Sequence, residues 1–249
     1  MIDLTKGYFD IDAAEHYNLD CYPAGGLSIH TMNMELKITI YEELLAYALL
    51  RRAMLRDGTV SNTNQEKIFP YIKRMISWLR TTDFYTSPAS MNNHDNYPGG
   101  LLDHTLEAYN QLVGLRFVPK FVDVVNHNWY SAVFAILVHD WCKIGRYESY
   151  TKRMPPDDDH PDWWRTTAYR PKQDDVVRFG HGTQSLIMAM QLCNSKLTSL
   201  TFEEMAAIRW HMDGWDIGHY DDWDLNKCNN KVPMVRMIQF ADQLATTTY

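Results

Sequence analysis

Apolar positions recur at helical spacing along most of the chain. Residues 41–57 (YEELLAYALLRRAMLRD) set apolar side chains on one face, and Gly58 follows as a helix stop. Residues 65–81 continue the pattern, with Pro70 as a kink or restart. Further helices are predicted over about 100–114, 117–127, 130–143, 181–195, 202–212 and 232–247. Turn formers fill 87–100 (SPASMNNHDNYPGG), 148–180 and 214–233, which read as irregular connections. No segment alternates in the manner of a half-buried strand. The expected fold class is therefore all-α, a helical bundle in one domain over 61–249. Residues 1–60 are expected to be an extension packing on that core, beginning as an irregular arm with a turn at Pro23-Ala24-Gly25-Gly26.

Composition narrows the picture. With 249 residues, 45% of them hydrophobic and 22% charged, the chain can bury one large core. The longest apolar run, 132–138, falls well short of the ~18 residues of a membrane span. The N-terminal stretch MIDLTKGYFDIDAAEH carries acidic residues and no signal-like apolar region, so no membrane association and a cytoplasmic location are expected. Cys21, Cys142, Cys193 and Cys228 form no CxxC pair and read as buried or idle thiols. The formal net charge is −7, and the short Arg51-Arg52 to Arg56 cluster is no basic stripe. That balance favours a small phosphorylated partner over a long nucleic acid, because each phosphate contact needs a cation.

Candidate chemistry appears where polar groups interrupt apolar faces. His104 sits on the face that carries Leu101 and Ala108, pointing inward. Alone, such a histidine is more often a satisfied core residue than a ligand. The run AVFAILV ends in His139-Asp140, delivering both toward the interior, with Lys143 about one turn later. A buried carboxylate costs several kcal/mol unless a cation or metal pairs with it. Asp242 breaks the stripe Val235, Ile238, Ala245 in the same way; surface exposure is the plainer alternative. His181 opens a helix, where the dipole keeps imidazole neutral and able to bind metal. His211 closes another, with Asp213 and Asp216 near enough in sequence to orient it.

Taken in order, His104, His139-Asp140, His181, His211 and Asp242 resemble the HD phosphohydrolase superfamily. GGLLDHTLEA, LVHDWCKIG and FADQLAT are similar to its His-Thr, His-Asp-x-x-Lys-x-Gly and Ala-Asp segments, and the resemblance covers about 98–247. The two intervening histidines resemble the two-metal subgroup, which includes HD domains of certain bacterial 3′–5′ exoribonucleases and of cyclic-dinucleotide phosphodiesterases. Cys142 stands where that pattern usually has glycine, and Met212 follows His211 where some relatives carry a second histidine. The resemblance implies one metal on His104, His139, Asp140 and Asp242, with Asp140 bridging to a second metal on His181 and His211. Two such ions ~3.5–4 Å apart activate a hydroxide for attack on phosphorus. Catalytic roles fall on Asp140 and on Lys143, a fixed positive charge beside the phosphate. The ligand set suits one or two divalent ions, Mn, Fe, Co or Zn, and suits Mg less well.

Between 146 and 180, Arg146, Arg165, Arg170 and Arg178 are interleaved with Trp163, Trp164 and Tyr169. This reads as a lid over a nucleotide, with Arg146, Trp164, Arg165 and Arg170 as substrate contacts. The alternative is a solvated acidic loop anchored by its tryptophans. His94, in the loop before His104, is a further residue that could face the pocket; His16, His30, His127, His160 and His219 read as surface or core. Three functions fit: a phosphohydrolase acting on a nucleotide or short phosphodiester, a 3′–5′ exonuclease acting on single-stranded RNA or DNA, or a non-catalytic nucleotide-binding module. A homo-oligomer stays open.

Overall fold

The computed structural model describes residues 29–57, 62–173, 176–216 and 221–247. The expected turn at 23–26 lies outside the described residues, as do Gly58, His16 and His219. Among the described residues, eight α-helices run in order: α1 (Met34–Asp57), α2 (Asn62–Arg80), α3 (Gly100–Leu115), α4 (Val122–Val138), α5 (His181–Leu192), α6 (Phe202–Arg209), α7 (Asp222–Lys231) and α8 (Pro233–Ala245). A two-stranded antiparallel hairpin, β1 (Tyr147–Met154) and β2 (Trp164–Pro171), separates α4 from α5.

The hairpin corrects the expectation of a purely helical chain with an irregular connection at this point. Its strands are rich in Tyr, Thr and Arg, but residues 149–153 are exposed on both sides. A strand buried on neither face leaves no apolar alternation to read. Tyr147 pairs with Pro171 at the base and Met154 with Trp164 near the tip.

The α4 helix is the axis of the bundle and packs against α1, α3, α6 and α8. The separate helices expected at 117–127 and 130–143 meet in the span Val122–Val138 at a kink, where Asn128 has non-helical backbone, and a 3-10 turn, Pro119–Phe121, precedes it. Val133 to Val138 are covered on every side, with exposures of 0–1%. By length and composition alone Pro119–Lys143 could cross a bilayer, but 56% of its apolar window is buried inside the protein, as a core helix requires.

The α1 helix begins seven residues before the expected start at 41, because the Asn33 side chain accepts the Leu36 N–H at 2.9 Å and caps it. Tyr41, Leu45, Ala48 and Leu49 of α1 are buried in the same core as α4. The Tyr41 hydroxyl donates to the Leu137 carbonyl at 2.9 Å and accepts from the Trp141 indole at 3.0 Å, tying α1 to the end of α4. Farther along, Arg52 of α1 makes a two-pronged bond to Glu204 of α6, both contacts at 2.5 Å. Glu204 also completes a capping box with Thr201 that starts α6. The α2 helix runs through Pro70 without ending. The α7 helix occupies part of the stretch expected to be irregular.

Candidate metal centre

The site gathers at one end of the bundle, where α4 terminates. Its last apolar residues are followed by His139 and Asp140, and a tight 3-10 turn, Trp141–Lys143, brings Lys143 back over Asp140. From α3 comes His104, buried in the first turns of a helix that starts at Gly100. Glycine is needed there: a Cβ on Gly100 would stand 2.0 Å from the carbonyl oxygen of Asp95. From α8 comes Asp242, on a face where Val235, Ile238 and Ala245 are also buried, as the sequence pattern requires.

These groups meet closely. Nε2 of His104 lies 3.0 Å from Oδ1 of Asp242 and 3.4 Å from Oδ2 of Asp140. Nε2 of His139 lies 3.5 Å from that same Asp140 oxygen and 3.4 Å from Oδ1 of Asp242. Lys143 Nζ reaches Asp140 Oδ2 at 2.5 Å. The other oxygen of Asp140 faces elsewhere: Oδ1 lies 3.6 Å from Nε2 of His211 and 4.0 Å from Sγ of Cys142. His181, half-buried at the start of α5, completes this second side; an oxygen of Asp140, Cys142 Sγ and a ring nitrogen of His181 lie within 4.8 Å of one another.

The imidazole tautomers follow from the backbone. Nδ1 of His139 lies 2.6 Å from the Ile136 carbonyl, and Nδ1 of His211 lies 2.8 Å from the Ile208 carbonyl. A carbonyl only accepts, so both Nδ1 atoms carry a proton and both Nε2 atoms are left to face Asp140. Both Nε2 atoms are buried and have no hydrogen-bond partner. Buried polar atoms left this way are costly unless something else binds them. The Ile208 carbonyl, rather than Asp213 or Asp216, thus holds His211. Asp216 instead accepts the Gly182 N–H at 2.8 Å and an Arg209 contact at 3.4 Å, stapling the start of α5 to α6.

The electrostatics agree with the geometry. Burial opposes ionisation of Asp140, but Lys143 and His139 hold its carboxyl well below the usual range. Asp242 is depressed in the same way, with His104 and His139 overcoming its burial. Burial opposes protonation of His139, yet Asp140 and Asp242 push it up to about 10. Burial keeps His181 below its ordinary value and lowers His94 to about 4. Carboxylates thus stay charged, and a cation would meet two anionic oxygens and several imidazole nitrogens, a donor set that could hold a metal ion.

A cleft of about 670 Å³ opens over the cluster. His104, Asp140, Lys143, Arg146, His181, His211 and Asp242 all line it. So does His94, whose ring lies 4.9 Å from that of His104. The other expected substrate contacts are placed differently. Trp164, Arg165 and Arg170 stand on β2, outside the residues that line the cleft. Trp164 stacks on His160 at 4.1 Å and donates to Asp157, closing the hairpin tip on itself. Arg170 pairs with Glu148 at 2.6 Å, and Arg165 is exposed. Two aromatic residues line the cleft: Tyr147, buried at the base of β1, and Trp215, 87% exposed on the short turn Asp213–Asp216. Sequence gave Trp215 no apolar periodicity and no neighbouring arginine cluster to single it out.

Comparison with family models, with curated proteins and with solved structures gave no match to this chain. The structure itself shows a mostly helical bundle in which His104, His139, Asp140 and Asp242 cluster so that they can bind a metal ion, an arrangement compatible with an HD-like fold.

Proposed function

We propose that this protein is a metal-dependent phosphohydrolase that cleaves a phosphoester bond of a nucleotide or a short phosphodiester. The observation that carries the reading is the division of groups around Asp140. Its Oδ2 faces His104, His139 and Lys143, its Oδ1 faces His211 and Cys142, and the cluster floors an open cleft. A carboxylate with donors on both sides suits a bridge between two cations, as the resemblance to HD phosphohydrolases implies. His104, His139, Asp140 and Asp242 would hold one ion; Asp140, His181 and His211 would hold the other. Such ions supply positive charge that acidifies a water and neutralises phosphoryl oxygens.

The chain's own residues would do the rest. Lys143 and Arg146 line the cleft beside Asp140 and would bind phosphoryl oxygens there. Trp215 offers an exposed aromatic face at the same cleft, suited to stacking a base. The net charge of −7 and the lack of a basic stripe in the sequence favour a small substrate over a tracked strand.

The test is elemental analysis of the purified protein, followed by a screen of nucleotides, cyclic dinucleotides and short and long oligonucleotides with Mn²⁺ or Co²⁺. Metal binding with release of phosphate or a mononucleotide from small substrates supports the reading. Progressive shortening of long RNA or DNA, with small substrates untouched, would replace it with an exonuclease. Failure to take up metal would remove its basis.

A further inference from the structure

We propose that Cys142 is a thiolate ligand in the second half of this centre, which makes that half selective for Zn²⁺ or Co²⁺ over Mn²⁺ and Mg²⁺. The inference rests on the metal-centre reading above and adds a donor that the HD-like ligand set does not include.

The geometry starts from the turn Trp141–Lys143. Cys142 is only 3% exposed, and its backbone N–H donates to Ser185 Oγ at 3.0 Å. Ser185 is fully buried on α5, one turn after His181, so the two side chains share a helix face. The bond that fixes Cys142 against Ser185 therefore also fixes it opposite His181. Sγ then points toward Asp140 Oδ1 at 4.0 Å, with the His181 nitrogen inside the same 4.8 Å set.

A second observation points to a ligand at this place. His211 is fully buried, its Nδ1 is committed to the Ile208 carbonyl, and its Nε2 has no hydrogen-bond partner. That nitrogen faces the same Asp140 oxygen as Cys142 Sγ, at 3.6 Å. A sulfur, a carboxylate oxygen and the imidazole of His181 thus lie within 4.8 Å of one another, and the unpartnered Nε2 of His211 stands 3.6 Å from the same carboxylate. The donors of Asp140, Cys142 and His181, within 4.8 Å of one another, would close onto one ion by side-chain adjustment, since bonds of about 2.0–2.3 Å place the donors of a tetrahedral ion somewhat under 4 Å apart. On binding, the S–H bond breaks, the proton passes to solvent, and the sulfur lone pair forms the metal bond. A thiolate in the set selects zinc or cobalt over the harder manganese and magnesium.

The test uses the full chain loaded with Co²⁺ to a stoichiometry fixed by elemental analysis. The wild type should show a near-ultraviolet sulfur-to-cobalt charge-transfer band. Cys142→Ser should lose that band while keeping visible cobalt absorption, and Cys193→Ser should retain it. Zinc X-ray absorption on the wild type provides a reading that needs no variant: a sulfur neighbour at about 2.3 Å is expected. Cobalt bound without the charge-transfer band, a band that survives in Cys142→Ser, or a zinc shell of nitrogen and oxygen alone would overturn the thiolate and leave the metal centre standing. No uptake of either metal would overturn both.

Discussion

The ammonium of Lys143 lies 2.5 Å from Oδ2 of Asp140, and both side chains are almost wholly covered. Burial alone would discharge each group, yet their attraction keeps Asp140 ionised and raises Lys143 above its ordinary range. The pair thus holds a charged carboxylate ready in the interior, with its second oxygen turned to His211.

Asp140→Ala should abolish turnover and lower the bound metal per chain, because it removes donors from both sides of the cluster. Lys143→Ala should keep the metal and slow the reaction, raising the barrier by about 2–4 kcal/mol, as expected for one lost charge-stabilising donor. Steady-state kinetics and elemental analysis on the two variants check this. Near-normal turnover of metal-replete Asp140→Ala would show the centre to be misassigned.

Trp215→Ala should raise KM for nucleotides with little change in kcat, by the about 1–3 kcal/mol that one base stack contributes. Trp164→Ala should leave KM unchanged, because that ring is engaged with His160 and Asp157 at the hairpin tip. The reverse pattern would return the hairpin to the role of a lid.

Gly182→Ala should disturb the second side of the centre without touching a ligand. A Cβ at Gly182 would stand 2.0 Å from the carbonyl oxygen of Arg209, a backbone atom that cannot swing away. Overpacking of this kind costs about 1–3 kcal/mol. It would push α5 from α6 and separate His181 from His211. A lower Tm with loss of about one metal ion per chain is expected; unchanged metal content would show that the two helices adjust independently.

Glu204→Gln should destabilise the protein at neutral pH by about 3–5 kcal/mol, since it leaves Arg52 buried without its counter-charge. The pH dependence has a definite sign. Burial opposes ionisation of Glu204, but Arg52 holds its pKa below the ordinary 4.5. The folded state therefore binds this proton less tightly than the unfolded chain. The stabilisation is complete above the ordinary value and is lost as pH falls through the folded one. Urea denaturation at neutral and acid pH should show a smaller acid loss in Glu204→Gln than in wild type; equal losses would assign the acid sensitivity to other carboxylates.

Much of the helical order and the identity of the clustered groups could be read from the residues. The 3.6-residue period exposed α3, α4 and α8, because each buries a broad apolar face. The same period placed Asp242 and His104 on apolar faces but left surface exposure of Asp242 open; packing of α8 against α3 decided its burial. The hairpin was not legible, because the middle of β1 is exposed on both faces and β2 is at most half-buried, with Thr and Ala on its covered side, so neither needs apolar alternation. Nor was the start of α1, which depends on the Asn33 cap ahead of the mixed β-branched stretch Ile38-Thr39-Ile40. Pairings across long sequence separations belonged to the tertiary structure alone. Local sequence could suggest Asp213 or Asp216 as the partner of His211, but the fold gave that role to the Ile208 carbonyl and sent Asp216 to Gly182. Local sequence could group Trp164, Arg165 and Arg170 with the substrate; in the fold, Trp164 engages His160 and Asp157, Arg170 pairs with Glu148, and Arg165 is exposed on β2. Which oxygen of Asp140 faces which histidine is set by how α3, α5, α6 and α8 pack around the end of α4, and no spacing within one segment encodes that angle.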